Sequence, residues 1–375
     1  MNILVLNWQD ITNPLGGGAE VHLHEIFKRV VARGHSVTLL CSEFSGCAKA
    51  ETIDGIRIVR HGSRNLFNFH LPSQYSRLVR ESPFDVVVDD LNKIPFYTPL
   101  YVREPLVVIV HHLFGKSIFL EANLPSALYV AAAERLALRV YRDSITASVS
   151  ESTRRELISK GFREELISLV PNCVDHQRYH PVQCEANPHP RIGYLGRIKK
   201  YKSIDHLLQA FKIIHLEMPG AVLTVVGDGD ARPGLEQLAQ RLGISRQVEF
   251  TGFVPESRKV ELLNQMDVVA NPSSKEGWGL TVIEANACRV PVVASDVPGL
   301  RDSVRDAETG FLYEYGNIEQ LAEKLLLVLR DGHLRETLAE EAYRWSLGFD
   351  WEVSADKMIE VMEAAIRAKT SSRQA

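Results

Sequence analysis

Along the chain, short β-branched runs alternate with stretches in which apolar residues return every three or four positions. ILVLNW opens the series at residue 3, a helical stretch follows, and SVTLLC, DVVVD and LVVIV come further on. Strand runs separated by amphipathic helices are the pattern of a parallel α/β sheet. In the first helical stretch Leu23, Ile26, Phe27, Val30 and Val31 stand at offsets 0, 3, 4, 7 and 8, which is one apolar stripe. Gly34 occupies the place of a helix-ending glycine. The rhythm stops in PVQCEANPHP and restarts at RIGYLG, running on through AVLTVVG, VEFTG, DVVAN and VPVVAS. The break predicts two α/β domains, residues 1–183 and 184–349, with 183–190 as linker. A last helix over about 350–369 is free to pack on either half. The length agrees, since 375 residues at about 150 per domain is two domains.

Charge and cysteine content narrow the classes. With 43 Lys and Arg against 47 Asp and Glu the net charge is −4, so no global field draws the chain onto nucleic acid, and a nucleic-acid partner is not expected. Five cysteines, Cys41, Cys47, Cys173, Cys184 and Cys288, contain no C-x-x-C pair and are odd in number, which argues against both a disulfide framework and a cysteine zinc site. MNILVLNWQD has no basic n-region or small-residue cleavage site. The most apolar stretch, SALYVAAAERLALRVY, carries Glu134, Arg135 and Arg139, which are costly in hydrocarbon. A cytoplasmic protein is the expectation.

Chemistry is expected at the carboxyl ends of the strands, where open parallel sheets bind ligands. Gly16, Gly17 and Gly18 precede the first helix and offer backbone N–H groups to an anion, or simply make a flexible turn. They are not a dinucleotide fingerprint, because seven residues part them from the strand. GRIKKYK sets Arg197, Lys199, Lys200 and Lys202 just after a strand, either as a diphosphate clamp or as a solvated loop. Glu276, in a glycine-flanked loop, and Glu284, in the helix after it, suit two different polyols; the plainer alternative is a surface acid and a helix-dipole partner. His111 and His112 end the run LVVIV and are open to substrate contact or to a structural role. Asp228-Gly229-Asp230 matches D-x-D, a metal–diphosphate signature, and also reads as a strand-to-helix turn; Asp89-Asp90 is equally open.

These pieces together resemble family 4 of the retaining, GT-B-fold glycosyltransferases. The resemblance rests on GGAE before the first helix, a strand-end His, GR with Lys five residues after the Arg, VGDG, and EGWGLTVIEANACRVPVVAS, with support from VSES, PNCVD and AETGFL. It implies two Rossmann-like domains facing a cleft, with a UDP- or GDP-hexose bound mainly by the second. It implies that Arg197 and Lys202 hold the diphosphate, approached by Gly17 and Gly18. Glu284 then binds ribose hydroxyls, and Glu276 binds the transferred sugar with Gly277, Trp278, Gly279 and Leu280. His111 lies near the reacting carbon, and no metal or other cofactor is needed. The implied reaction is a front-face transfer to an acceptor hydroxyl with retention of configuration, in lipid-linked or cell-surface glycan synthesis. Two other readings stand beside it: a metal-dependent transferase using Asp228 and Asp230, and a non-catalytic nucleotide-sugar-binding protein.

Three positions depart from the family pattern. Cys173 stands for the Gly of N-G-V-D, Arg289 for the Gly of A-C-G-x-P, and Asp302 for a common Glu. On the acceptor side, residues 55–80 hold Arg57, Arg60, Arg64, Arg77 and Arg80 without an acid, among Leu66, Phe67, Phe69 and Leu71. That suits a peripheral contact with an anionic membrane face. Equally, the phenylalanines pack under a loop while the arginines face water.

Overall fold

The structure, a computed structural model, describes residues 1–91, 94–113, 115, 118–121, 123–183 and 189–374; Cys184 and most of the expected linker lie outside them. The chain divides into two compact units, Met1–Cys173 with Trp351–Ala375, and Val174–Asp350.

The first unit is built on an eight-stranded sheet of β1 (Asn2–Leu6), β2 (Ser36–Glu43), β3 (Ala50–Ile53), β4 (Ile56–Ser63), β5 (Val86–Leu91), β6 (Leu106–Val110), β7 (Ile145–Ser148) and β8 (Ile167–Leu169). Their order is β3-β4-β2-β1-β5-β6-β7-β8, and only the β3–β4 pair is antiparallel. The central strands are apolar on both faces, as a sheet covered on both sides requires: Ile3 to Leu6, Val86 to Val88 and Val107 to Val110 are all fully buried. Helix Gly18–Ala32 buries Leu23, Ile26, Phe27 and Val30, and Gly34, at φ +86, donates its N–H back to the Val31 carbonyl at 2.9 Å. The same helix also buries Glu20 and His22, which apolar periodicity does not reveal. The last helix, Trp351–Gln374, packs on it within this unit, burying Trp351, Ala355, Met358 and Met362. Arg29 and Arg33 reach its Glu352 and Asp356 at 2.7 and 2.8 Å.

The second unit carries six parallel strands, β9 (Arg191–Leu195), β10 (Val222–Val226), β11 (Val248–Gly252), β12 (Val268–Asn271), β13 (Val292–Ser295) and β14 (Gly310–Tyr313), in the order β11-β10-β9-β12-β13-β14. Helix Ile204–Glu217 covers one face with Ile204, Leu207, Leu208, Phe211 and Ile214, all buried. Each such side chain contributes about 1.5–3 kcal/mol by leaving water. In each sheet the order reverses once, beside β1 in the first unit and beside β9 in the second. At such a switch point the loops at the carboxyl ends diverge and leave room for a ligand.

The segment 55–80 is not a uniform basic surface. The Arg60 side chain is fully buried, held by Asp10 at 2.7 Å and Glu51 at 2.5 Å, and Phe67 and Leu71 belong to the core. Arg57, Arg64, Arg77 and Arg80 remain exposed, with Leu66 and Phe69. Among the described residues no helix is long and apolar enough to cross a membrane.

Candidate functional site

In the second unit the expected donor residues gather on the loops after β9 and β12, the two strands that flank the switch point. After β9, Gly196 and Ile198 donate their N–H groups to the carbonyls of Val226 and Asp228 at 3.0 and 2.8 Å, lacing this loop to the one after β10. The approach leaves no room for a side chain: Gly227 has φ +128, and a Cβ there would stand 2.0 Å from the Gly196 carbonyl oxygen. Arg197 is thereby fixed at its backbone while its guanidinium is exposed, 3.5 Å from the Tyr201 hydroxyl. Five residues on, Lys202 forms an ion pair with Glu276. Glu276 Oε1 also accepts from Ser273 Oγ at 2.9 Å, and the Ser274 N–H donates to the Tyr201 carbonyl at 2.8 Å, so the two loops are joined at several points. Burial opposes the Lys202 charge, but the Glu276 carboxylate more than compensates and raises the lysine above its ordinary pKa.

The loop of Glu276 turns at Gly277, Trp278 and Gly279 into helix Leu280–Ala287, with Gly279 as its N-cap. Its course is shaped by a second close approach, since a Cβ on Gly299, at φ +83, would stand 2.4 Å from the Glu276 carbonyl oxygen. Trp278 is buried against Phe349 with ring centres 5.1 Å apart. One turn into the helix, Glu284 is buried and receives Lys259 Nζ on Oε1 at 3.1 Å, while Oε2 has no partner among the described residues. Lys259 also meets Glu256 at 3.0 Å, and Glu256 accepts the Tyr179 hydroxyl.

In the first unit His111 follows β6 and is almost wholly buried, with Nε2 2.8 Å from Asp90 Oδ1 at the end of β5. Burial disfavours its charged form, yet Asp90, joined by Glu20, raises its pKa. The His22 ring stands 5.1 Å from it, edge on, and burial together with the His111 charge lowers His22 to about 3. One imidazole is thus kept protonatable and its neighbour neutral. Gly17 caps the first helix, and its N–H donates to Glu20 Oε2 at 2.7 Å. Space around Gly18 is open.

The D-x-D acids are arranged otherwise. Asp230 pairs with Lys199 at 2.9 Å, and Asp228 caps its own turn, accepting the Gly229 N–H at 2.7 Å with Arg232 at 3.7 Å. Asp89 accepts from Thr98 and Tyr141 at 2.5 and 2.7 Å inside the core. Of the residues now in the site, Lys259, Tyr179 and Ser273 left no mark in the sequence. Lys259 lies three positions after Glu256, which reads as an ordinary surface pair on a helix.

Two doubly wound parallel sheets with polar side chains at their switch points define the GT-B architecture. Solved structures of that kind superpose over nearly the whole chain. Sucrose-phosphate synthase from Thermosynechococcus elongatus gives a TM-score of 0.84 at 19% identity, covering 98% of this chain and 100% of that one. Anabaena HepE in complex with UDP-glucose gives 0.78 at 22% identity, covering 97% and 100%. Residues 16–178 match the family model of Glycosyltransferase Family 4, and residues 176–345 that of the glycosyl transferases group 1. The chain belongs to this family of glycosyltransferases. It is 31% identical over 281 residues to the D-inositol 3-phosphate glycosyltransferase of Nocardia farcinica, a match of 70% of this chain and 62% of that enzyme. Against further curated relatives of that name the chain spans about half their length.

Proposed function

We propose that the chain is a retaining glycosyltransferase that moves a hexose from a UDP- or GDP-sugar to an acceptor hydroxyl without a metal ion. The observation that carries this reading is the pair of carboxylates in the second unit, buried Glu284 and largely enclosed Glu276, each tied to its own lysine. Arg197 and Lys202 are assigned to the diphosphate, Glu284 to the ribose diol, Glu276 with the 277–280 turn to the hexose, and His111 to the sugar near the reacting carbon. Gly17 and Gly18, at the turn into the first helix, are assigned to the approach of the diphosphate. As the bond from C1 to the leaving phosphate breaks, charge develops on the diphosphate, and fixed cations are the means to meet it. The acceptor oxygen bonds to C1 on the same face and passes its proton to the departing phosphate oxygen. Asp228 and Asp230, each engaged by a cation or an amide of its own turn, support a reading without the D-x-D metal. The relative named for an inositol phosphate acceptor and the neighbour solved with UDP-glucose support a UDP-hexose as donor and a polyol or sugar as acceptor.

Thermal stabilisation by UDP-, GDP- and ADP-hexoses, followed by assay of slow donor hydrolysis, tests this without knowledge of the acceptor, because a bound ligand stabilises by mass action. Stabilisation and hydrolysis with one nucleotide series, and a product whose anomeric configuration by NMR matches the donor, are expected. Stabilisation without turnover under any donor would favour a binding protein, and inversion would refute the retaining chemistry. A cytoplasmic enzyme working on a lipid-linked glycan precursor would touch the membrane through exposed Leu66 and Phe69 with Arg64, Arg77 and Arg80. Salt-sensitive sedimentation with anionic but not neutral vesicles is the expected sign of that contact, and a wild type that stays in the supernatant at low salt removes it.

A further inference from the structure

We infer that Lys259 is a positioning residue for Glu284, and that it makes nucleotide binding here depend on an intact ribose diol. The inference rests on the assignment of Glu284 to the ribose. Glu284 sits on the helix after β12 with its side chain 7% exposed, and its two oxygens are in different situations. Oε1 is engaged by Lys259 Nζ at 3.1 Å; Oε2 is buried without any donor among the described residues. A buried carboxylate oxygen left unpaired is costly, and a ligand hydroxyl is the kind of donor that relieves it.

Lys259 is held in turn. Its ammonium bridges to Glu256 Oε2 at 3.0 Å and lies 5.1 Å from the centre of the Tyr179 ring, while the Tyr179 hydroxyl donates to Glu256. Burial works against the ammonium, but Glu284 and Glu256 together raise its pKa, so it stays charged. Held by Glu256 and the Tyr179 ring, the lysine steadies the Glu284 carboxylate through Oε1 and leaves Oε2 as the remaining acceptor. Without the lysine, Glu284 is free to turn, and the 2′-hydroxyl loses its partner.

The test is calorimetric titration of the full chain with UDP and GDP and with their 2′-deoxy counterparts. Wild type is expected to bind the better ribonucleotide at least tenfold more tightly than its deoxy form. Lys259→Met should weaken the ribonucleotide by tenfold or more while leaving the deoxynucleotide within about threefold, so that discrimination collapses, and Lys259→Arg should restore most of it. A general loss of structure would weaken both nucleotides alike. Should Lys259→Met not fold, Lys259→Gln, which keeps an N–H donor without the charge, is read in the same titration and is expected to keep only part of the discrimination. A folded Lys259→Met with undiminished discrimination overturns the inference; if Glu284→Gln abolishes discrimination in that same experiment, the ribose assignment itself survives. A wild type that binds nucleotide without preferring the ribose form overturns both.

Discussion

Glu276 and Glu284 share a sheet with Asp228 and Asp230, and both pairs follow parallel strands in glycine-containing segments. Their side chains differ in exposure, 14% and 7% for the glutamates against 57% and 71% for the aspartates. That difference decides what each pair means. An exposed aspartate at a strand-to-helix turn needs nothing beyond a backbone amide and a mobile cation, and a surface ion pair of this kind contributes at most about 1 kcal/mol. A buried carboxylate costs several kcal/mol unless a cation is buried with it. Lys202 and Lys259 are those cations, each placed by an element separate in sequence from its glutamate. Adjacency of two acids in a motif is therefore weaker evidence of chemistry than the burial of each with a dedicated partner.

The largest effect that would break this comparison is expected at Lys202. Lys202→Ala strands the largely enclosed Glu276 and removes a cation from the proposed diphosphate site, so turnover should fall by roughly 10²-fold or more, and stability by up to about 3–5 kcal/mol. Steady-state assay alongside chemical denaturation reads both; near-normal values in both would dissolve the clamp. Arg197→Ala, whose guanidinium is exposed, should lower turnover on the same scale with little change in stability. Glu276→Gln keeps the shape and removes the charge: transfer should fall about 10²-fold with nucleoside diphosphate affinity unchanged, whereas Glu284→Gln should weaken that affinity by about tenfold. Calorimetry giving the reverse pattern would exchange the two roles.

A smaller and pH-dependent effect is expected at Asp89. Asp89 is fully buried with two hydroxyl donors and, among the described residues, no cation beside it, and burial, with the neighbouring Asp90 charge, pushes it up to about 7 from 3.8. The folded state then holds a proton that the unfolded state releases. Stability should fall as pH rises from about 4 to about 7, by up to about 1.4 kcal/mol per unit, and be flat above. Denaturation at several pH values should show this slope in wild type and its loss in Asp89→Asn; equal slopes would mean that Asp89 titrates normally.

Much of this was legible in the sequence. The alternating runs located the strands, and the position of Arg197, Lys202, Glu276 and His111 after strand ends, and of Glu284 in the helix after β12, followed from them. Tertiary pairing was not legible: nothing local joins Lys202 to Glu276, or marks Lys259 as more than a helix-surface residue. The two missing glycines show the same limit. Arg289 does take a left-handed backbone, φ +59, where glycine would be relaxed, and its side chain meets Glu336 and Glu340 at 2.6 and 2.9 Å. Cys173 keeps an ordinary conformation, and its sulfur lies 3.1 Å from the Ser354 hydroxyl, on a helix that begins 178 residues later. Only φ separates the two cases, and sequence does not record it.

One donor-turnover assay on two double variants, with and without EDTA, decides whether the enclosed glutamates or the exposed aspartates carry the proposed donor chemistry. Asp228→Asn with Asp230→Asn is expected to stay within about threefold of wild type and to be indifferent to EDTA, while Glu276→Gln with Glu284→Gln is expected to lose roughly 10²-fold or more. Loss of turnover in the aspartate variant, together with a wild type that EDTA silences and Mg²⁺ restores, would contradict this expectation.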